Sequence, residues 1–156
     1  MEEVSLKNEE GYTYEGGWNG KKEHGTGTMV YPDGTKYTGD WWDGSKHGKG
    51  RCEWPDGRVY DGDWYKDKRH GHGNAVSADR CKYDGEYTEG QRSGNGTSTS
   101  ADGGVYQGQW AGGTRLGQGR YANPDGSRYE GRWENNQFEG QGRYYCPRPP
   151  GAIKWP

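Results

Sequence analysis

Residues 37–59 read YTGDWWDGSKHGKGRCEWPDGRV, and the same pattern returns every 23 residues over almost the whole chain. Tyrosines stand at 14, 37, 60, 83, 106 and 129, each followed two positions later by Gly and four positions later by an aromatic ring. Counting each tyrosine as position 1, positions 12 and 14 are Gly in all six units, and PDG, ADG or ADR closes the first five. A fixed period of this size marks a quasi-one-dimensional array of one stacked supersecondary unit. No residue is inserted or deleted between units, as strands require, because a one-residue slip turns every side chain to the wrong face.

Within a unit, positions 1, 3 and 5 are Tyr, Gly and Trp (Tyr87 in the fourth), while positions 2 and 4 are mostly Asp, Glu or Gln. That alternation specifies a short strand. The Gly-x-Gly segment forms a second strand, a loop of about six residues rich in Gly, Asn, Asp and Lys joins the two, and the PDG signature turns the chain into the next unit. Pairing position 5 with position 12 sets Asp40 opposite Lys49 and Glu130 opposite Arg143 on the outer face, contacts worth roughly 0.2–1 kcal/mol each. It also sets Trp18, Trp41, Trp64, Tyr87, Trp110 and Trp133 on the inner face, each laid flat across a position-12 glycine, because strand glycines mark a close approach to the backbone. Equivalent strands of successive units lie about 9.6 Å apart, which is too far for direct ring-to-ring stacking at about 4.5–7 Å. The fold class is therefore all-β, an elongated, twisted, single-layer antiparallel sheet of about twelve strands. The predicted organisation is an N-terminal extension (1–13), six repeats over 14–146 (14–36, 37–59, 60–82, 83–105, 106–128 and 129–146) and a proline-rich C-terminal tail (147–156).

Composition agrees with an aromatic rather than an aliphatic interior: 31 Gly, 13 Tyr and 8 Trp stand beside a single Phe, and each large ring can bury roughly 150–250 Å². A net charge of −2 argues against a strongly basic nucleic-acid binder. Cys52, Cys81 and Cys146 show neither CxxC spacing nor an even count and read as reduced thiols of an intracellular, cytoplasmic protein. The sequence has no apolar run of membrane-spanning length and no signal-peptide core, and its acidic start, MEEVSLKNEE, is unlike an arginine-rich transit peptide.

The Y-x-G-x-W, G-x-G and P-D-G elements on a 23-residue period resemble the MORN-repeat family from Tyr14 to about Tyr145. The resemblance implies an array of β-hairpins acting as a scaffold or adaptor. Relatives of this kind occur in junctional membrane proteins, plant phosphoinositide kinases, ciliary radial spokes and protist cytoskeletal assemblies, which implies a cytoskeleton- or cilium-associated complex subunit. Binding of acidic phospholipid is a further property proposed for the family. The sequence departs from the pattern at Tyr87, Ser93 and the TSTS stretch of the fourth unit, and in the missing DG turn of the sixth.

Little in the chain points to catalysis. His24, His47 and His70 form a column spaced about 9.6 Å apart, too far for zinc ligands that converge at about 2.0–2.1 Å, and read as loop-end residues. Asp33, Asp56, Asp79, Asp102 and Asp125 are explained by turn chemistry. The Gly-x-Gly triplets lack the helix N-terminus a dinucleotide site requires, and no Ser or Thr has a triad around it. The expectation is a non-enzyme with no cofactor and no metal site.

Functional candidates lie where the repeat is broken. Trp42 and Tyr65 at position 6 are adjacent off-pattern rings of a hot-spot type. Phe138, placed in a hairpin loop, and Tyr145, on the outer face, make a second patch, and Trp155 can cap the sheet or enter a partner. On the inner face Tyr31 and Trp54 enrich the first third and Tyr121 and Tyr144 the last, whereas Ala75, Ser77, Ser98 and Ser100 leave the middle shallow enough for a peptide or helix. Lys21, Lys22, Lys46, Lys66, Lys68, Arg69, Arg92 and Arg115 are assigned to hairpin loops, a basic edge able to meet an anionic lipid surface at about 1 kcal/mol per charge. Glu23, Asp43, Asp67, Glu89 and Glu134 dilute it. Pro147, Pro149 and Pro150 block further strand pairing at the C-terminal edge. Protein partners are thus the first expectation and acidic phospholipid the alternative; a homodimer is compatible with the open edges.

Overall fold

A computed structural model describes residues 2–146. They form one open antiparallel sheet whose strands follow in sequence order. The strands are β1 (Glu2–Lys7), β2 (Thr13–Trp18), β3 (Glu23–Val30), β4 (Lys36–Trp42), β5 (Ser45–Glu53), β6 (Val59–Tyr65), β7 (Lys68–Val76), β8 (Lys82–Thr88), β9 (Gln91–Thr99), β10 (Val105–Ala111), β11 (Thr114–Ala122), β12 (Arg128–Glu134) and β13 (Gln137–Tyr145). The thirteenth strand comes from the N-terminal extension, where no repeat signals it. Glu2–Lys7 pairs with β2, setting Leu6 beside Tyr14, and Val4 packs on the aromatic core. The prolines at 147, 149 and 150 and Trp155 lie outside the described residues.

The hairpin loops are shorter than the sequence suggests. In units two to six only positions 7 and 8 are unpaired (Asp43-Gly44, Lys66-Asp67, Glu89-Gly90, Gly112-Gly113, Asn135-Asn136), and all ten residues have positive φ. Two left-handed residues in a row are the mark of a type I′ turn, whose twist suits a tight hairpin. Between units, Gly34 N–H donates to Tyr31 O at 2.9 Å and Tyr31 N–H to Thr35 O at 2.8 Å. The left-handed position of this turn is Gly34, Gly57, Gly103 or Gly126, and in the third unit Arg80 at φ 72°. The recurrent aspartates do serve these turns: Asp33, Asp56, Asp79, Asp102 and Asp125 each accept the backbone N–H two residues ahead, at 2.8–3.3 Å.

The register departs from the predicted one halfway along each hairpin. Tyr37 pairs with Cys52 and Gly39 with Gly50 as anticipated, but Trp41 then pairs with Lys46, and the same shift recurs in the other five units. Two extra residues on the second strand form a bulge, and the position-12 glycines take φ from 57° to 111°. The position-4 side chain turns into the bulge and accepts the position-13 N–H: Asp40 from Lys49 at 2.9 Å, Asp63 from His72 at 3.0 Å, Glu86 from Asn95 at 2.6 Å and Gln109 from Gln118 at 2.9 Å. The Asp40–Lys49 side-chain pair is therefore not made; Lys49 Nζ reaches Asp63 of the next unit at 2.6 Å. Glu130 does lie opposite Arg143, while its carboxylate sits 3.5 Å from both Arg120 and Arg128.

The shift also reassigns the rings. Trp41, Trp64, Tyr87, Trp110 and Trp133 face position-12 glycines of the preceding unit rather than their own. The covered glycine is at position 14, and its cover is tyrosine: a Cβ on Gly27, Gly50, Gly73, Gly96, Gly119 or Gly142 would overlap Tyr14, Tyr37, Tyr60, Tyr83, Tyr106 or Tyr129. Each of these hydroxyls donates to the position-4 carbonyl, from Tyr14 to Gly17 O (2.7 Å) through Tyr129 to Arg132 O (3.2 Å). The Nε1–H of Trp41, Trp64, Trp110 and Trp133 donates to the position-14 glycine carbonyl one unit back at 3.0–3.2 Å. Leaning across the glycine strand brings the tyrosine of each of the first five units edge-on against the next unit's ring, at a distance the strand spacing alone excludes. Tyr37–Trp64, Tyr60–Tyr87, Tyr83–Trp110 and Tyr106–Trp133 meet edge-to-face at 5.1–5.4 Å. The core is thus a continuous ring zipper on one face of a single sheet.

Candidate functional site

Because position 10 pairs with position 5 after the bulge, its side chain stands on the aromatic face. The residues there are Glu23, Lys46, Arg69, Arg92, Arg115 and Phe138. Lys46 Nζ lies 5.1–5.6 Å from the Tyr31, Tyr37 and Trp64 rings. Arg69 lies over Tyr60 and Tyr87, Arg92 over Tyr83 and Trp110, and Arg115 over Tyr106, Tyr121 and Trp133, at 4.5–5.8 Å. Such contacts hold a cation against the negative face of a ring. One N–H of each arginine is fixed to the next loop: Arg69 Nη2 donates to Gly90 O, Arg92 Nη2 to Gly113 O and Arg115 Nη2 to Asn136 O, at 2.9–3.1 Å. Four of the eight cations assigned to a basic loop edge, Lys46, Arg69, Arg92 and Arg115, therefore sit in strands on the inner face. Of the others, Lys21 and Lys22 occupy the first hairpin loop, where their N–H groups bond Asn19 Oδ1, Lys66 is in a hairpin turn with its Nζ 5.3 Å over the Tyr65 ring, and Lys68 pairs with Glu89 at 3.1 Å.

Beside the arginine row the middle of the inner face is hollow, as the small residues there predict. A groove of 630 Å³ runs over units three to five, with Ala75, Ser77, Ser98 and Ser100 along it, Trp54 and Tyr121 towards its ends, and Arg69, Arg92 and Arg115 along one side. Burial lowers the Arg115 pKa below the ordinary guanidinium value, and the neighbouring Arg92 charge acts in the same direction. Burial also pushes the phenols of Tyr37, Tyr60 and Tyr83 well above the ordinary range, and that of Tyr14 to about 12. These rings are neutral donors at physiological pH. A second hollow of 570 Å³ at the N-terminal end is lined by Leu6, Tyr12, Trp18 and Met29, and there the position-10 residue is the acidic Glu23.

The off-pattern rings have other surroundings. Trp42, 62% exposed, packs at a tilt against His24 at 4.4 Å; Tyr65, 44% exposed, lies 4.8 Å from His47 and 5.6 Å from His70. His24 Nδ1 accepts the Asp43 N–H and His47 Nδ1 the Lys66 N–H, so these two histidines brace loop starts, whereas the buried Nδ1 of His70 has no hydrogen-bond partner. Among the described residues no group of three or more His, Cys, Asp or Glu is placed to hold a metal ion. Phe138 is in β13, not in a loop, and packs on Tyr129 and Trp133 at 4.1 and 4.5 Å, continuing the position-10 row. Tyr145 lies on the opposite face under Arg128 at 4.2 Å, so Phe138 and Tyr145 do not make one patch. Tyr144 on the inner face is 60% exposed. Cys52, Cys81 and Cys146 are free thiols. The position-10 row is what sequence reasoning missed; its signal, cations in the same place of four consecutive units, is visible only once the bulge is known.

Among solved structures, the TCP domain of SAS-4 (dCPAP) from Drosophila melanogaster, in complex with a proline-rich motif of Ana2 (dSTIL), superimposes with a TM-score of 0.52 at 13% identity, covering 84% of this chain and 72% of that one. The TCP10 domain of Danio rerio CPAP, in complex with a peptide of STIL, gives 0.40 at 14% identity, covering 93% and 75%. At 13% identity the likeness to the SAS-4 domain concerns the fold alone. No curated protein matches the chain significantly. The MORN repeat model matches residues 14–36, 37–57, 60–82, 83–105, 106–128 and 129–148, nearly the whole ladder, and the chain belongs to the MORN-repeat family.

Proposed function

We propose that this protein is a non-catalytic scaffold whose inner face holds a segment of another protein within a larger assembly of cytoskeletal or ciliary type. The observation that carries this reading is the groove over units three to five, an open trough beside a row of arginines on a single sheet. Its walls are fixed before any partner arrives, since the rings interlock and the arginines are bonded to loops, and preorganisation lowers the entropic cost of binding. The SAS-4 domain, a similar open sheet in complex with a proline-rich motif of another protein, supports the choice of a peptide segment. The repeated polar groups already have structural partners in turns and bulges, which favours binding over catalysis. The acidic-phospholipid reading is weaker, because half of the cations it needs, Lys46, Arg69, Arg92 and Arg115, lie over rings on the inner face.

A photo-crosslinking residue placed at Ser98, in the groove, should capture a partner that the same residue at Thr97, on the outer face, does not. Arg92→Glu should abolish the Ser98 capture. Capture from Thr97 or from Trp42 instead would move the interface to the outer face and end this reading.

A further inference from the structure

Resting on the groove reading, the spacing of the arginines specifies what kind of segment fits. Arg69, Arg92 and Arg115 occupy the same position of successive hairpins, so they repeat every two strands, about 9.6 Å apart. They are half-buried, and each has one N–H tied to a loop carbonyl. Among the described residues none has a carboxylate within ion-pair distance. Guanidinium groups with unused N–H donors and no counter-charge, held in line, call for a row of anions at the same spacing.

Three regular conformations can be tested against that spacing. A β-strand puts every second residue on one face, about 6.7 Å apart, and its i+3 side chain points away. An α-helix returns to one face at i+7, about 10.5 Å on, and drifts by about 0.9 Å per hairpin. A polyproline II helix has three residues per turn at about 3.1 Å each, so it returns to one face every 9.3 Å or so. It alone keeps step with the sheet to within about 0.3 Å per hairpin. The partly exposed rings of Trp54 and Tyr121 towards the groove ends are the surfaces on which proline rings pack in such complexes.

We propose that the groove binds an acidic, proline-rich protein segment in the polyproline II conformation, laid across the strands so that carboxylates three residues apart meet Arg69, Arg92 and Arg115 in turn. The test is fluorescence anisotropy of labelled peptides against the full chain. One peptide repeats Asp-Pro-Pro; a second has the same composition with its aspartates gathered at one end; a third repeats Lys-Pro-Pro; a fourth is helical with Glu at i and i+7. The phased Asp-Pro-Pro peptide should bind about tenfold or more tightly than the gathered one, the lysine peptide should not bind, and Arg92→Gln should weaken the phased peptide about tenfold. Arg92→Lys, which keeps the charge, should lose less. The comparison among peptides uses the wild-type chain and decides even if a variant fails to fold. Equal binding of phased and gathered peptides, or tighter binding of the helix, overturns this inference while leaving the groove as a docking site. Binding of none overturns it as well, and the Ser98 crosslink then reports separately on the groove.

Discussion

Gly50→Ala isolates the seat of a ring, because only the approach of Tyr37 holds that position to glycine. Gly50 lies in β5 opposite Gly39 and is not among the left-handed residues, so alanine meets no backbone strain. Its Cβ would instead overlap the hydroxyl and ring of Tyr37. That ring is fully buried, meets Trp41 at 5.0 Å and Trp64 at 5.4 Å edge-to-face, and donates to Asp40 O at 2.8 Å. Displacing it loses a hydrogen bond worth about 1 kcal/mol and two aromatic pairs worth about 0.5–1.5 kcal/mol each. If the ring stays and the backbone yields, overpacking costs a similar 1–3 kcal/mol or so. The lower chain entropy of alanine returns about 0.5–1 kcal/mol. The net expectation is a loss of about 2 kcal/mol. Gly57→Ala is the control: a Cβ there meets nothing within 4 Å, but φ is +96°, and left-handed strain alone costs about 1–2 kcal/mol.

Urea unfolding followed in parallel by tryptophan fluorescence and far-ultraviolet circular dichroism is the suitable assay, since coincident curves establish whether this array unfolds in one step. In a Tyr37→Ala background the Gly50→Ala cost should vanish, a coupling of the kind expected for side chains in contact. A Gly50→Ala protein within about 0.5 kcal/mol of wild type, a change ordinary for surface substitutions, would refute the seat. So would an undiminished cost in the Tyr37→Ala background.

Two further outcomes follow from the repeat. Tyr87→Trp supplies the one indole missing from the series and should bond Gly73 O as its counterparts do one unit along, raising stability by about 1 kcal/mol; an unchanged or lower urea midpoint would show that Arg69, 5.2 Å over that ring, leaves no room for it. On acidification, the turn carboxylates should govern the loss of stability. Hydrogen bonds from Thr35 and Arg58 backbone N–H hold Asp33 and Asp56 below the ordinary carboxylate range, and hydroxyls of Ser77, Ser100 and Ser127 lead the same effect on Asp79, Asp102 and Asp125. A depressed folded pKa gives stability that is present above the ordinary value of about 3.9 and is lost as pH falls through the folded value. The urea midpoint should therefore be flat down to about pH 5 and fall below it, and Asp56→Asn should make the fall shallower; an identical acid slope in that variant would remove Asp56 from the cause.

The fold was legible because the period is strict and the strand alternation, the turn aspartates and the shallow middle are local properties of residue type. Ala75, Ser77, Ser98 and Ser100 are small whatever the register, so the hollow they leave could be foreseen. What could not be read was the bulge. Gly48 is compatible with an extended strand and with a left-handed residue alike, and choosing between them depends on whether Asp40 reaches the Lys49 N–H, a cross-strand contact that spacing does not encode. The strand β1 was hidden for a similar reason: EEVSLK carries no repeat residue, and its pairing comes from Val4 and Leu6 meeting a core that exists only once β2 is in place.

That single bulge decides what the inner face can bind. With positions 5 and 12 paired, as a regular hairpin would have them, position 10 would fall in a loop and the cations there would form a diffuse basic edge, diluted by Asp43, Asp67 and Glu89. Shifting the register by two residues sets Arg69, Arg92 and Arg115 over the rings instead, where cation–π contact and a loop carbonyl fix each one. A diffuse edge attracts any anionic surface with little regard to geometry and is screened by salt over about 8–10 Å. A fixed row at the hairpin spacing selects instead for the spacing of the charges presented to it. The two arrangements therefore respond differently to one substitution: Arg92→Gln, which removes the middle charge, should weaken a phased acidic peptide far more than a gathered one of equal charge, whereas a diffuse edge would weaken both alike.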